Sequence, residues 1–120
     1  EIRKIELSGS YPVTTFAGGD ATPGFTDSTG LAAEFNQPAG ISTNGIDLFV
    51  ADQVNSAIRR IVISTAVVTT IAGDGTASFV DNTTGDSARF NAPTGIVVND
   101  KTLFVSDTQN YRIRKIGISE

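Results

Sequence analysis

Apolar residues along the chain fall into short bursts bounded by Gly, Asn, Asp and Thr, a rhythm that predicts strands and tight turns. In "AGISTNGIDLFV" (Ala39 to Val50) two such bursts flank Asn44 and Gly45, the pair most compatible with the positive φ angles of a type I′ hairpin. A second turn, "ADQVNS", leads into "AIRRIVI", and a third gives "AVVTTIA", rich in β-branched residues. The unit therefore reads as four short strands, A to D, joined up and down. Ile58 and Val62 alternate onto one face of strand C while Ile61 and Ile63 take the other, so the sheet offers apolar groups on both sides and needs cover on both. Helical periodicity is absent, apart from room for a single turn in "GLAAEF" and "GDSARF".

The chain then repeats itself. At an offset of 55, "VTTFAG" (Val13 to Gly18) falls on "VTTIAG" (Val68 to Gly73), "FNQPAGI" on "FNAPTGI", "LFVAD" on "LFVSD" and "IRRI" on "IRKI". The second hairpin carries Asn99 and Asp100, which also tolerate left-handed geometry. A one-residue slip between "GFTDSTGLAAEF" and "SFVDNTTGDSARF" marks the intervening segments as surface loops, where insertions are tolerated. Four-stranded sheets that need neighbours on both faces are satisfied by radial repetition, the β-propeller. Residues 1–18 then supply strands C and D of a first blade, 19–73 a complete blade with a long leading loop, and 74–120 a second long loop with strands A to C of a further blade.

"NQPAGI", "DLFVADQVNSAIRRI" and "VVTTIAG", with their second copies, resemble the NHL repeat in its long-loop variety, where a "GxxAxFNxP" segment joins one blade to the next. The resemblance covers essentially the whole chain; it departs from the family at Ala57, which stands opposite Arg112. It implies an all-β propeller of four-stranded antiparallel blades, about two blades' worth here, within a ring of six or more. It does not imply one activity: the family includes RNA-binding and protein-binding propellers, receptor-like sensors, and relatives with lyase or lactonase activity. Two blades cannot close a ring, so blades from a longer parent or from identical chains are expected to cover the open faces. The competition of Ile2 to Ser8 with Ile113 to Ser119 for one strand C position argues for the longer parent, as does the lack of Met at position 1.

Composition narrows the chemistry. Without Cys or His, the chain lacks thiolate nucleophiles and the commonest general base and metal ligand, so no catalytic residue, metal site or cofactor is expected. A net charge of −4 makes a sequence-independent grip on nucleic acid unfavourable. No apolar run approaches a membrane span. Abundant Thr, Ser, Asn, Asp and Gly suit an extracellular or cell-surface setting, and Asn82 heads an N-glycosylation triplet.

Several residues remain as candidates. Asp52, Asn55, Asp107 and Asn110, repeated in both blades, read as caps of the turn between strands B and C rather than ligands. The basic strand C residues Arg59, Arg60, Arg112, Arg114 and Lys115, with Arg3 and Lys4, read as partners of Asp52 and Asp107 along the outer blade edge rather than an RNA track. "DNTTGD" fails the EF-hand pattern at Thr83, Gly85 and Ala92, and the Gly-rich "AGGD" and "AGDG" are followed by no helix that could bind phosphate. Phe35 and Phe90, each followed by Asn-x-Pro, are expected to plug the blade junctions. The expected function is a non-catalytic, extracellular module that binds a protein or glycan through its long loops, with Phe25, Asp27, Phe79, Asp81 and Asp86 as the candidate surface. On that expectation, substituting Phe79 and Asp81 weakens binding and spares the thermal transition. The alternatives are a propeller lyase or lactonase whose metal lies outside this segment, and a self-assembling filament subunit.

Overall fold

The computed structural model describes residues 1–118, and Ser119 and Glu120, the last positions of the segment 74–120, lie outside the described residues. Among the described residues nine strands form three antiparallel sheets, and within each sheet every strand pairs with its neighbour in sequence. The first sheet is β1 (Ile2–Ile5) with β2 (Val13–Ala17), and the second is β3 (Pro38–Thr43), β4 (Asp47–Asp52), β5 (Ala57–Val62) and β6 (Val68–Ala72). The third is β7 (Pro93–Asn99), β8 (Thr102–Asp107) and β9 (Arg112–Gly117). Pro38 and Pro93 open their strands, where the missing N–H costs no ladder bond, and each is followed by a register shift before Gly40 or Gly95.

The two apolar faces of the middle sheet go to different cores. Ile58 joins Phe49, Ala51, Phe90, Leu103 and Val105 on the side of the third sheet, while Ile61 joins Val50, Val68, Phe35 and Ala17 on the side of the first. Alternation along one strand therefore becomes two blade interfaces. Phe35 and Phe90 sit in these junctions, 5% and 1% exposed. The leading strands β3 and β7 approach so closely that a side chain at Gly40 would collide with the Thr94 carbonyl.

Two turns differ from the expected geometry. In the first hairpin only Gly45 has positive φ (+91°), and the loop spans Asn44 to Ile46, so it is not a two-residue type I′ turn. Asn44 instead folds its side chain over the turn, its Oδ1 accepting from the backbone N–H groups of Ile46 and Asp47 at 3.0 and 2.8 Å. In the second hairpin Asn99 stays in the strand and Asp100 alone is left-handed, with φ +54°. The single helical turns form as short 3₁₀ segments, Gly30–Ala32 and Gly85–Ser87.

Candidate functional site

A fully buried guanidinium lies at the heart of the middle sheet. Arg59 projects from β5 beneath the long loop 19–35, where an unpaired charge would be prohibitively costly. Its Nη1 donates to Asp52 Oδ2 and to the Glu34 carbonyl, both at 2.8 Å. Its Nη2 donates to Asp27 Oδ1 at 2.8 Å and to the Thr26 carbonyl at 3.0 Å. The rings of Phe25 and Phe35 flank the guanidinium carbon, with centroids at 5.1 and 4.8 Å. One side chain thus ties the end of β4, the loop and the blade junction together, using directional donors that only arginine's planar fork supplies.

The third sheet builds the same clamp. Arg114 Nη1 donates to Asp107 Oδ2 (2.7 Å) and the Arg89 carbonyl (2.8 Å), and its Nη2 to Asp81 Oδ1 (2.6 Å) and the Val80 carbonyl (2.8 Å). Phe79 and Phe90 take the flanking positions, both at 4.7 Å, and Arg112 covers Phe79 from outside at 3.8 Å. The clamp places Phe25, Asp27, Phe79 and Asp81 in structural contacts within the chain. Their remaining exposed edges, with 39% of each Phe accessible, form the part of the candidate surface that solvent can reach.

Asp52 and Asp107 are entirely buried and bond both across their own turn, to Asn55 and Asn110, and to the preceding loop. Their Oδ1 atoms accept the backbone N–H groups of Asn36 and Asn91 at 2.8 and 2.7 Å. Asn55 and Asn110 bridge them to the loops, each donating through Nδ2 both to the neighbouring carboxylate (2.7 Å) and to the Gly24 or Ser78 carbonyl (2.7 and 2.9 Å). In place of bonds to nearby backbone N–H groups, these side chains tie the turn to the preceding long loop. Of the strand C cations, Arg59 and Arg114 point inward, so they are not available to an outer basic track.

Asp27 also holds the edge strand β6: its Oδ2 accepts the Thr70 N–H at 3.0 Å and its Oδ1 the Thr70 hydroxyl at 2.9 Å. Partial burial pushes the Asp27 carboxyl upward, but the Thr70 donors and Arg59 outweigh it and hold the group below its ordinary value. Asp86 is exposed in its 3₁₀ turn, and Asn82 is exposed with its Oδ1 accepting the Thr84 N–H at 2.9 Å. Sequence reasoning missed Leu31, 59% exposed on the first loop, and Asp47, buried and paired with Arg60 at 3.0 Å. The second copy has Thr102 at the position of Asp47, and that asymmetry was the available signal. Among the described residues no three His, Cys, Asp or Glu side chains gather as a metal site, and no helix is long and apolar enough to cross a membrane.

Sheets that cover one another face to face, the middle and third each locked to its leading loop by the same clamp, make the chain a run of β-propeller blades. It is 32% identical over 111 residues to NHL repeat-containing protein 2 from cattle and from humans, a match covering 89% of this chain and 15% of theirs. The chain belongs to the NHL-repeat family, and it spans about 15% of the length of these curated relatives. No family model matches it. Among solved structures, an auxiliary nutrient binding protein from Bacteroides thetaiotaomicron superimposes with a TM-score of 0.78 at 29% identity, over 92% of this chain and 29% of that one. A protein of unknown function from the same species superimposes with a TM-score of 0.84 at 23% identity, over 94% and 29%, which speaks to fold alone.

Proposed function

We propose that the chain is a non-catalytic binding and scaffolding module of an extracellular or cell-surface protein, taking a protein or glycan partner on its long loops. The observation that carries this reading is the duplicated arginine clamp. It fixes two irregular polar loops to a rigid sheet framework, which lowers the ordering cost of binding. Phe25 lies against Gly75, so the aromatic edge of the first loop meets the start of the second and the two loops share one rim. The exposed Leu31 and Asp86 add apolar and acidic contacts beyond the clamp. The description of the Bacteroides relative as a nutrient binding protein supports binding over catalysis, and the exposed triplet at Asn82 supports passage through a glycosylating compartment.

The test is a screen of the immobilised chain against soluble glycans and extracellular proteins, repeated with Leu31→Asp and Asp86→Lys. The expected result is a ligand whose binding drops at least about tenfold in each variant while the melting temperature holds. A ligand indifferent to both substitutions, or no ligand at all, would remove the loop surface from consideration. Expression through a secretory pathway is expected to give a glycan-dependent mass that Asn82→Gln abolishes.

A further inference from the structure

The middle sheet has an irregular fifth partner along the outer side of β6. In loop 19–35, Thr29 pairs antiparallel with Val67, and two backbone bonds of 2.8 Å flank the pair: the Val68 N–H donates to the Ser28 carbonyl and the Gly30 N–H to the Ala66 carbonyl. Continued regularly, this pairing would set Thr26 opposite Thr70, with the Thr70 N–H donating to the Thr26 carbonyl. That bond does not form. Arg59 Nη2 takes the Thr26 carbonyl at 3.0 Å, and the Asp27 carboxylate fills the gap, its Oδ2 accepting the Thr70 N–H at 3.0 Å and its Oδ1 the Thr70 hydroxyl at 2.9 Å. The clamp diverts the ladder, and a side chain stands in for backbone at its end.

We infer that loop 19–35 is a strap with two locks on the edge of β6, and that the Asp27 lock releases by itself while the Ser28–Gly30 lock stays shut. The two locks differ in their access to water. The backbone bonds at Ser28 and Gly30 hold the strap against Val68, which is 1% exposed, whereas the Asp27 side chain is 46% exposed. Water therefore competes directly for the Thr70 donors. Release of Asp27 needs no movement of the strap's backbone, because the carboxylate swings about its own side-chain bonds while Arg59 keeps hold of the Thr26 carbonyl. Arg59 gives up one acceptor in that state but retains Asp52 and the Glu34 and Thr26 carbonyls, so no buried charge is stranded.

Two unequal locks let the edge yield locally and stay guarded. A released Asp27 bares one N–H and one hydroxyl at Thr70, too short a run for an incoming strand to pair with, since the shut lock still occupies Ala66 and Val68. Only release of the second lock would present Ala66, Val68 and Thr70 together, and that is the step strand addition requires. The first opening also leaves Phe25 and Thr26 in place, because both remain on the Arg59 guanidinium. Motion at Thr70 is thereby separated from motion of the loop.

Amide hydrogen exchange resolved by NMR at neutral pH and low urea tests this in the parent, in Asp27→Asn and in the double variant Thr29→Cys, Val67→Cys. The chain has no native cysteine, so oxidation of the double variant joins strap to strand only at the introduced pair. In the parent, Thr70 is expected to exchange at least about tenfold faster than Val68 after correction for intrinsic rates, with little dependence on urea. Asp27→Asn should speed Thr70 by about a further tenfold. The disulfide should slow Val68 and leave Thr70 unchanged. Equal protection of Thr70 and Val68 in the parent would overturn the inference. So would a disulfide that slows both amides, because the strap would then move as one body, or an Asp27→Asn variant in which Thr70 exchanges as in the parent.

Discussion

The middle and third sheets are built from nearly the same residues, yet one is closed and the other open. Arg59 and Arg114 hold equivalent partners, at offset 55 in the strands and 54 across the slipped loop, but Arg59 is fully enclosed whereas the side chain of Arg114 remains 6% exposed. Asp27 has both oxygens engaged, one side with Arg59 and Thr70 and the other with the Thr70 amide, and Asp81 has one. The difference comes from β6, which covers the middle clamp and draws the loop's carboxylate inward. A clamp thus assembles from strands B and C and the loop alone, and the fourth strand seals it. The first sheet supplies the third term: Arg3, at the matching position in β1, lies on the surface with no clamp about it.

The comparison breaks most visibly at the arginines. Replacing Arg59 by Met strands the fully buried Asp52 and is expected to cost about 3–5 kcal/mol, whereas Arg3→Met should stay within about 0.5 kcal/mol of the parent. Urea unfolding of the two variants measures both, and equal effects would mean that burial of the clamp does not set its worth.

Asp27→Asn and Asp81→Asn sharpen the contrast between sealed and open loops. The first weakens bonds to both Arg59 and Thr70 and is expected to cost about 1–2 kcal/mol; the second acts on a carboxylate 77% exposed and should cost less than about 1 kcal/mol. Asp27→Asn also reads out in pH. Because the folded Asp27 carboxyl sits below its ordinary value of 3.8, its contribution is present above that value and lost as the pH falls through the lower folded one. Stability measured between neutrality and pH ~3 should therefore fall less steeply in Asp27→Asn than in the parent, and parallel profiles would contradict the assignment.

The smallest effect is expected at the aromatic lids. Phe25→Leu and Phe79→Leu should each lower stability by about 0.5–1.5 kcal/mol, since each ring covers an arginine that keeps its charged partners. Thermal melts in both variants check this. For Phe79 that is a measurable loss where the sequence suggested none, because its ring lies between Arg112 and Arg114.

Fold and repeat were legible in the sequence because they rest on local signals. Apolar alternation in "AIRRIVI" showed that both faces of strand C need cover, and the structure divides Ile58 and Ile61 between two cores accordingly. The clamp was legible only in its parts. The pairing of Arg59 with Asp52 was expected, though at the outer blade edge; Phe25 and Asp27 were singled out as well, but nothing in their spacing showed that they converge on a buried Arg59. Turn geometry was harder still. Ser56 and Tyr111 both adopt left-handed backbone at φ +49° and +57°, as do Gln37 and Ala92 at +54° and +53°, although none is a residue that favours it. These conformations recur at offset 55 despite different side chains, so the surrounding sheets impose them.

The sequence by itself determined the strands, their order and the need for a neighbour on each face, since those follow from the period of apolar side chains and from where Gly, Pro and Asn allow the chain to turn. Only the tertiary structure decided which charges are buried and which loop residues are structural. Those outcomes depend on groups some 25 to 43 residues apart meeting in space, as Glu34 meets Arg59 and Asp27 meets Thr70, and desolvation acts on the assembled neighbourhood rather than on any one residue.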